Sequence, residues 1–391
     1  MSFIAGVDAA ILPIVATLAV AAVLAFVLTP LVRRLALRHG VLDRPDARRV
    51  NVVPIPRGGG LAVAAAFLVA SAAFLFVNDR EAMVPSPVFL GAEDLIALLL
   101  GGALAAALGA LDDYFDLRAR WQFLNQLVLA VLAVALGISV TVLNNPFGPG
   151  VIRLEGIFAI GFTIFWIVGM INSINWIDGL DGLSSGIGVI AAVTLGMISL
   201  TTQVGQPLIA VLCFALAGSL LGFLRWNFHP ASIFVGTSGV QFIGFSLAIL
   251  SILGSAKVAV ALLVLGVPII DTFWIIVRRI TERRSPFSPD RSHIHHRLLD
   301  LGLTHRQAVV LIYGICAALG VLALFLSGVN HLYAFLGVFI AFGLVLVLPT
   351  RGSFRAEELE AESYESEPYG RPSAVPARTG AGQDPGSPPG A

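Results

Sequence analysis

Two short polar stretches interrupt long apolar runs, and both carry side chains able to hold cations. Leu-Asp-Asp-Tyr-Phe-Asp sets Asp112, Asp113 and Asp116 at the end of one run. Asn-Ser-Ile-Asn-Trp-Ile-Asp-Gly-Leu-Asp-Gly-Leu sets Asn172, Asn175, Asp178 and Asp181 at the end of another. Carboxylate and amide oxygens are the ligands that Mg²⁺ and Mn²⁺ prefer, and no thiolate set for zinc is present. Mg²⁺ usually takes one or two protein carboxylates and leaves its other positions to water and phosphate, so this donor set points to a phosphate-bearing substrate. Asn172, Asn175 and Asp178 fall three apart and share a helical face, with Asp181 one turn further if the helix runs on through Gly179. Gly179 and Gly182 weigh against that continuation, but let backbone approach a ligand closely.

A third stretch, Ser-Pro-Phe-Ser-Pro-Asp-Arg-Ser-His-Ile-His-His-Arg-Leu-Leu, holds His293, His295, His296 and Arg297. Histidines this close could form a transition-metal site, a pH switch or a phosphate clamp. Arg291 and Arg297 on either side favour an anion, because guanidinium and imidazole donors both suit phosphate oxygens. Val-Pro-Ile-Pro-Arg-Gly-Gly-Gly at 53–60 puts Arg57 beside a glycine run at a helix start, either a tight turn or an anion cradle.

The elements that must position these groups are membrane helices. The chain has 391 residues, 57% of them hydrophobic and 12% charged, with a mean hydropathy of +0.90, far from the roughly 25% charged residues of a soluble domain. Apolar runs of spanning length fall near 9–32, 59–77, 94–111, 122–143, 156–172, 184–203, 207–224, 237–253, 256–278, 307–327 and 331–349. They predict an all-α integral membrane protein of about eleven transmembrane helices with catalytic loops on the cytoplasmic side. The run 156–172 is short and ends in polar residues, which leaves a broken or re-entrant helix open. Arg33, Arg34, Arg38, Arg57, Arg118, Arg120, Arg225, Arg278, Arg279 and Arg306 belong to one set of alternate loops. The other set holds only Arg80, Arg153 and Lys257, so the basic set is expected in the cytoplasm and the N-terminus outside. A membrane domain over 1–351 is expected to be followed by a disordered cytoplasmic tail over 352–391, rich first in Glu and then in Pro, Gly, Ser and Ala. Zero formal net charge gives no sign of a nucleic-acid partner. Cys213 and Cys316 sit within apolar runs and receive no role.

Taken together, these residues resemble the polyprenyl-phosphate N-acetylhexosamine-1-phosphate transferases, glycosyltransferase family 4, from Asp43 to about Gly302. The resemblance is carried by Asp112-Asp113, the Asn-x-x-Asn-x-x-Asp-Gly-x-Asp-Gly box at 172–182, Val-Pro-Ile-Ile-Asp271 and His293-x-His295-His296. The His-Ile-His-His-Arg-Leu-Leu form is similar to the undecaprenyl-phosphate N-acetylglucosamine-1-phosphate transferases. That resemblance implies transfer of a sugar 1-phosphate from a UDP-N-acetylhexosamine to a polyprenyl phosphate at the plasma membrane, with release of UMP, help from Mg²⁺ or Mn²⁺, and a homodimer. It implies that Asp112 orients or deprotonates the lipid phosphate and that Asp113, Asn175 and Asp178 lie near the metal, with Asp181 in support. Asn172, Asn175, Arg57, Asp271, His293, His295, His296 and Arg297 would bind substrate. Two positions depart from the family: Thr237 stands where a metal-binding Asp is usual in Phe-x-Gly-Asp-x-Gly-Ser, and Asn51 where many relatives carry His.

Two other classes compete with this reading. A transporter or scramblase should line a route through the midplane, whereas these clusters sit at helix ends. A catalytically silent relative acting as a scaffold is suggested by Thr237.

Overall fold

The computed structural model describes residues 7–43, 53–85, 90–145, 147–148, 150–201, 204–254, 257–283 and 293–347. Asn51, Arg291 and the expected tail 352–391 lie outside them. In chain order the elements are α1 (Val7–His39), β1 (Leu42–Asp43), β2 (Ile55–Pro56), α2 (Gly60–Glu81), α3 (Ala92–Phe115), α4 (Ala119–Ala135), β3 (Val142–Asn144) and β4 (Val151–Arg153). There follow α5 (Gly156–Ile177), α6 (Leu183–Ser199), α7 (Pro207–Asn227), α8 (Gly236–Leu253), α9 (Lys257–Val264), α10 (Gly266–Thr281), α11 (Ile294–Asp300), α12 (His305–Phe325) and α13 (Asn330–Val347). The two antiparallel strand pairs, β1 with β2 and β3 with β4, are only two or three residues long.

The protein is an all-α membrane protein. Among the described residues seven helices are long and apolar enough to cross a bilayer, or eight if the bent α9–α10 pair counts as one span. Each of the eleven expected runs falls on a helix or on that pair, but α4 and α6 have 17 residues. At about 1.5 Å per residue such a helix reaches roughly 25 Å, short of about 30 Å of hydrocarbon. The run at 156–172 is neither broken nor re-entrant: α5 is continuous for 22 residues. The break falls instead in 256–278, where α9 and α10 meet at 81°. Pro268 lacks the N–H that would bond the Val264 carbonyl four residues back, and the ladder fails there.

The most enclosed spans are α7 and α8, each 83% buried, whereas α1 is 28% buried and turns Val15, Val23 and Val27 outward. Small residues set the close contacts, as expected where lipid removes the hydrophobic drive between helices. A methyl group on Gly218 or Gly222 of α7 would lie 2.3 or 2.1 Å from the Leu18 or Ala22 carbonyl of α1. At the start of α8, a methyl on Gly60 of α2 would lie 2.0 Å from Gly239, and one on Gly109 of α3 2.4 Å from Ser238. Three helix backbones thus converge where α8 begins, and the polar motifs gather around that point.

Candidate active site

Asp113, in the last turn of α3, caps the start of α8. Its Oδ1 accepts from the Thr237 N–H at 2.8 Å and its Oδ2 from the Ser238 N–H at 3.0 Å. A carboxylate at the positive end of a helix is favourable, and the cap fixes Asp113 in a single orientation. Gly236 makes this approach possible: its φ is +71°, and a side chain there would meet Asp113 Oδ2 at 2.6 Å. Arg57 leans on the same group, donating from Nε to the Asp113 carbonyl at 3.0 Å and from Nη2 to Asp116 Oδ1 at 3.2 Å. The strand before Arg57 is tied to the same corner, because Phe234 N–H donates to the Pro56 carbonyl and Gly59 N–H to the Phe234 carbonyl.

These groups face a cleft of about 510 Å³ whose polar lining includes Arg57, Asp113, Asn175, Asp178, Asp181, Asn227, His229, Thr237, His296 and His305. The helix does not run on through Gly179: α5 ends at Ile177, and a tight turn carries Asp178 and Asp181 to the start of α6. Asp178 accepts from the Ser184 hydroxyl. Burial pushes its carboxyl up to about 7; the Ser184 bond opposes this, and the charges of Asp113 and Asp181 add to it. Asp181 Oδ2 pairs with His229 Nδ1 at 2.7 Å and accepts from Ala231 N–H at 3.0 Å.

Several expected site residues stand behind this wall. Asp112, 2% exposed, accepts from the Leu117 N–H and with both oxygens from Gln122 Nε2, so it fastens the turn from α3 to α4. Asn172 bonds Gln126 and joins α5 to α4. Asp271, held just past the bend in α10, accepts from the Ile294 N–H and pairs with His293 Nδ1 at 2.7 Å, which anchors the start of α11. His295 is packed on the Gly179 backbone, where a methyl would lie 2.0 Å from its Nε2. Burial lowers its pKa, helped by the charges of His296 and His293. Of the three histidines only His296 lines the cleft, and Arg297 lies outside the lining.

His229, His305 and Asn227 line the cleft without having been singled out in the sequence. The signal for His229 was its polar run, Asn-Phe-His-Pro-Ala-Ser, between two apolar ones. His305, in Leu-Thr-His-Arg-Gln, offered none beyond its residue type.

A helical membrane bundle that gathers oxygen donors, histidines and an arginine around one cleft has the architecture of an integral-membrane enzyme for phosphorylated substrates. The sequence model of glycosyl transferase family 4 matches residues 95–255. A Bacillus subtilis protein named "Probable undecaprenyl-phosphate N-acetylglucosaminyl 1-phosphate transferase" is 36% identical over 347 residues, 87% of this chain and 92% of that one. The decaprenyl-phosphate N-acetylglucosaminephosphotransferase of Mycolicibacterium smegmatis is 35% identical over 75% of this chain and 77% of its own. The undecaprenyl-phosphate alpha-N-acetylglucosaminyl 1-phosphate transferase of Salmonella typhimurium is 31% identical over 75% and 79%. The chain belongs to glycosyl transferase family 4 and is a multi-pass membrane transferase.

Proposed function

We propose that this chain transfers N-acetylglucosamine 1-phosphate from UDP-N-acetylglucosamine to a polyprenyl phosphate, releasing UMP and starting a lipid-linked surface or cell-wall polymer. The observation that carries the reading is the meeting of Asp113, Asn175, Asp178, Arg57 and His296 in one cleft, in a chain 36% identical to a relative named for that reaction.

A lipid phosphate with a second pKa of about 6 is already largely dianionic near neutral pH. Its oxygen attacks the phosphorus that bears the sugar, the bond to the uridine-bearing phosphate breaks, and UMP leaves. The obstacle is bringing two polyanions together. Arg57 and His296 supply donors on the cleft wall, while Asp113 and Asp178 are held by Thr237, Ser238 and Ser184 so that they need not reorganise. Asp112 acts by fixing the turn that presents Asp113.

Mg²⁺ or Mn²⁺ fits this donor set. Asp113, Asn175 and Asp178 offer only oxygens for a hard cation, and each carboxylate keeps lone pairs beyond its present hydrogen bonds. Thr237 adds a neutral hydroxyl instead of a third carboxylate. When bound, such an ion would neutralise diphosphate charge.

The cleft faces the cytoplasm in this account. Arg38, Arg57, Arg118, Arg225, Arg278 and Arg306 lie at the same helix ends as the cleft residues, the side on which basic residues concentrate.

The test is UMP release by detergent-solubilised protein given UDP-N-acetylglucosamine, undecaprenyl phosphate and Mg²⁺. Release that EDTA abolishes is the expected result. No release from folded protein with any UDP-N-acetylhexosamine would overturn the proposal and favour a binding role.

A further inference from the structure

The cleft lining holds a second group of donors, different in kind from the oxygen set. Asp181 comes from the turn between α5 and α6, His229 from the loop between α7 and α8, and His305 from the first position of α12. One ligand atom from each lies within 4.8 Å of the other two. The His229 and His305 rings stack at 4.2 Å with 20° between their planes. Neutral imidazole is the form that ligates metals. His305 Nε2 is buried with no hydrogen-bond partner, a cost the fold carries unless something meets that nitrogen. Arg306 donates to the His229 carbonyl at 3.0 and 3.2 Å, which fixes the loop and leaves the imidazole to Asp181.

We infer that Asp181, His229 and His305 form a site for a borderline-soft dication of the zinc type, separate from the Asp113, Asn175 and Asp178 oxygen set. Two imidazoles and one carboxylate suit Zn²⁺ or Co²⁺ and are a poor set for Mg²⁺. Tetrahedral ligands about 2.0–2.1 Å from zinc lie roughly 3.3 Å apart, so the widest pair must close by no more than roughly 1.5 Å, within reach of side-chain rotation. All three residues line the cleft, so the remaining coordination position belongs to water or to an oxygen of the cleft's occupant. The site draws on His229 and His305 and not on the His-Ile-His-His stretch, whose first histidine is held by Asp271.

The experiment is a Co²⁺ titration of full-length, chelator-treated protein in detergent, without a polyhistidine tag, followed by visible d–d absorption and metal analysis. One Co²⁺ per chain with a tetrahedral spectrum, displaced by Zn²⁺ but not by excess Mg²⁺, is expected. It should weaken at least tenfold in His229→Gln and in His305→Gln and persist in His296→Gln. In the unaltered protein, Zn²⁺ should shield His229 and His305 from diethylpyrocarbonate, read by peptide mass. This arm does not depend on the variants folding. Absence of stoichiometric Co²⁺, binding indifferent to both substitutions, or Zn²⁺ that leaves both histidines reactive would overturn the inference. None of these readouts requires turnover, so failure here is distinct from failure of the proposed transfer.

Discussion

At Asp178 a single carboxyl couples stability to chemistry. Its pKa is raised from 3.8 to about 7, so the unfolded chain gives up this proton first. Folding stability from this group is therefore full below about pH 4 and is lost as pH rises to about 7. Asn cannot ionise and escapes that loss. Asp178→Asn should raise the apparent melting temperature of chelator-treated protein at pH 8 by roughly 2–4 °C, with the gain vanishing towards pH 4. A variant less stable than the parent at pH 8 would contradict this. Thr237 poses the complementary question, a charge that relatives are expected to have and this chain lacks. The natural chain should turn over, and Thr237→Asp should lower half-saturating Mg²⁺ about tenfold by adding a charged oxygen ligand beside Asp113. Transfer appearing only in the variant would mark the natural chain as silent. The oxygen donors were legible in the sequence because acids at the ends of apolar runs are costly without a partner. Which of them face outward was not: Asp112 and Asp113 are neighbours, yet one holds a turn and the other meets the cleft.

The helices were legible wherever apolar length alone decides them. The bend between α9 and α10 was not, because Pro268 sits in an apolar run that reads as one span. Nor were the roles of the histidines, since Asp271 reaches His293 across 22 residues of sequence. The contacts of Gly60 with Gly239 and of Gly109 with Ser238 are backbone to backbone and have nowhere to yield. Gly60→Ala should therefore cost about 1–3 kcal/mol through overpacking and lower both the melting temperature and the yield of folded protein. Gly161→Ala, where a methyl meets nothing within 4 Å, should match the parent in the same assay. The packing of α11 should be pH-sensitive through His295. Its pKa is lowered by burial, so the undocked segment protonates first as pH falls below about 6.5, and docking loses stability in that direction. Amide exchange over 294–300, corrected for intrinsic rate, should be faster at pH 5.5 than at 7.5, and His295→Gln should flatten the difference. Equal protection at the two pH values would contradict this.

For the whole molecule, the decisive feature is asymmetry along the helix axes. The ends of α3, α5, α7 and α10 and the starts of α2, α6, α8 and α12 carry the cleft acids, its histidines and most of the arginines, while among the described residues the opposite ends carry the β3–β4 pair and, of Arg and Lys, only Arg80, Arg153 and Lys257. Such a molecule brings a water-soluble phosphorylated donor to a lipid phosphate at one face, and among the described residues its polar clusters sit at helix ends instead of lining a route through the midplane as in a carrier. The most direct measurement is mass spectrometry of the lipid extract from vesicles containing the protein, undecaprenyl phosphate, UDP-N-acetylglucosamine and Mg²⁺. The account predicts a prenyl diphosphate bearing one N-acetylhexosamine, formed with equimolar UMP and reduced at least 100-fold in Asp178→Asn. Release of UDP in place of UMP, no lipid product from the natural chain, or equal product from the variant would contradict it.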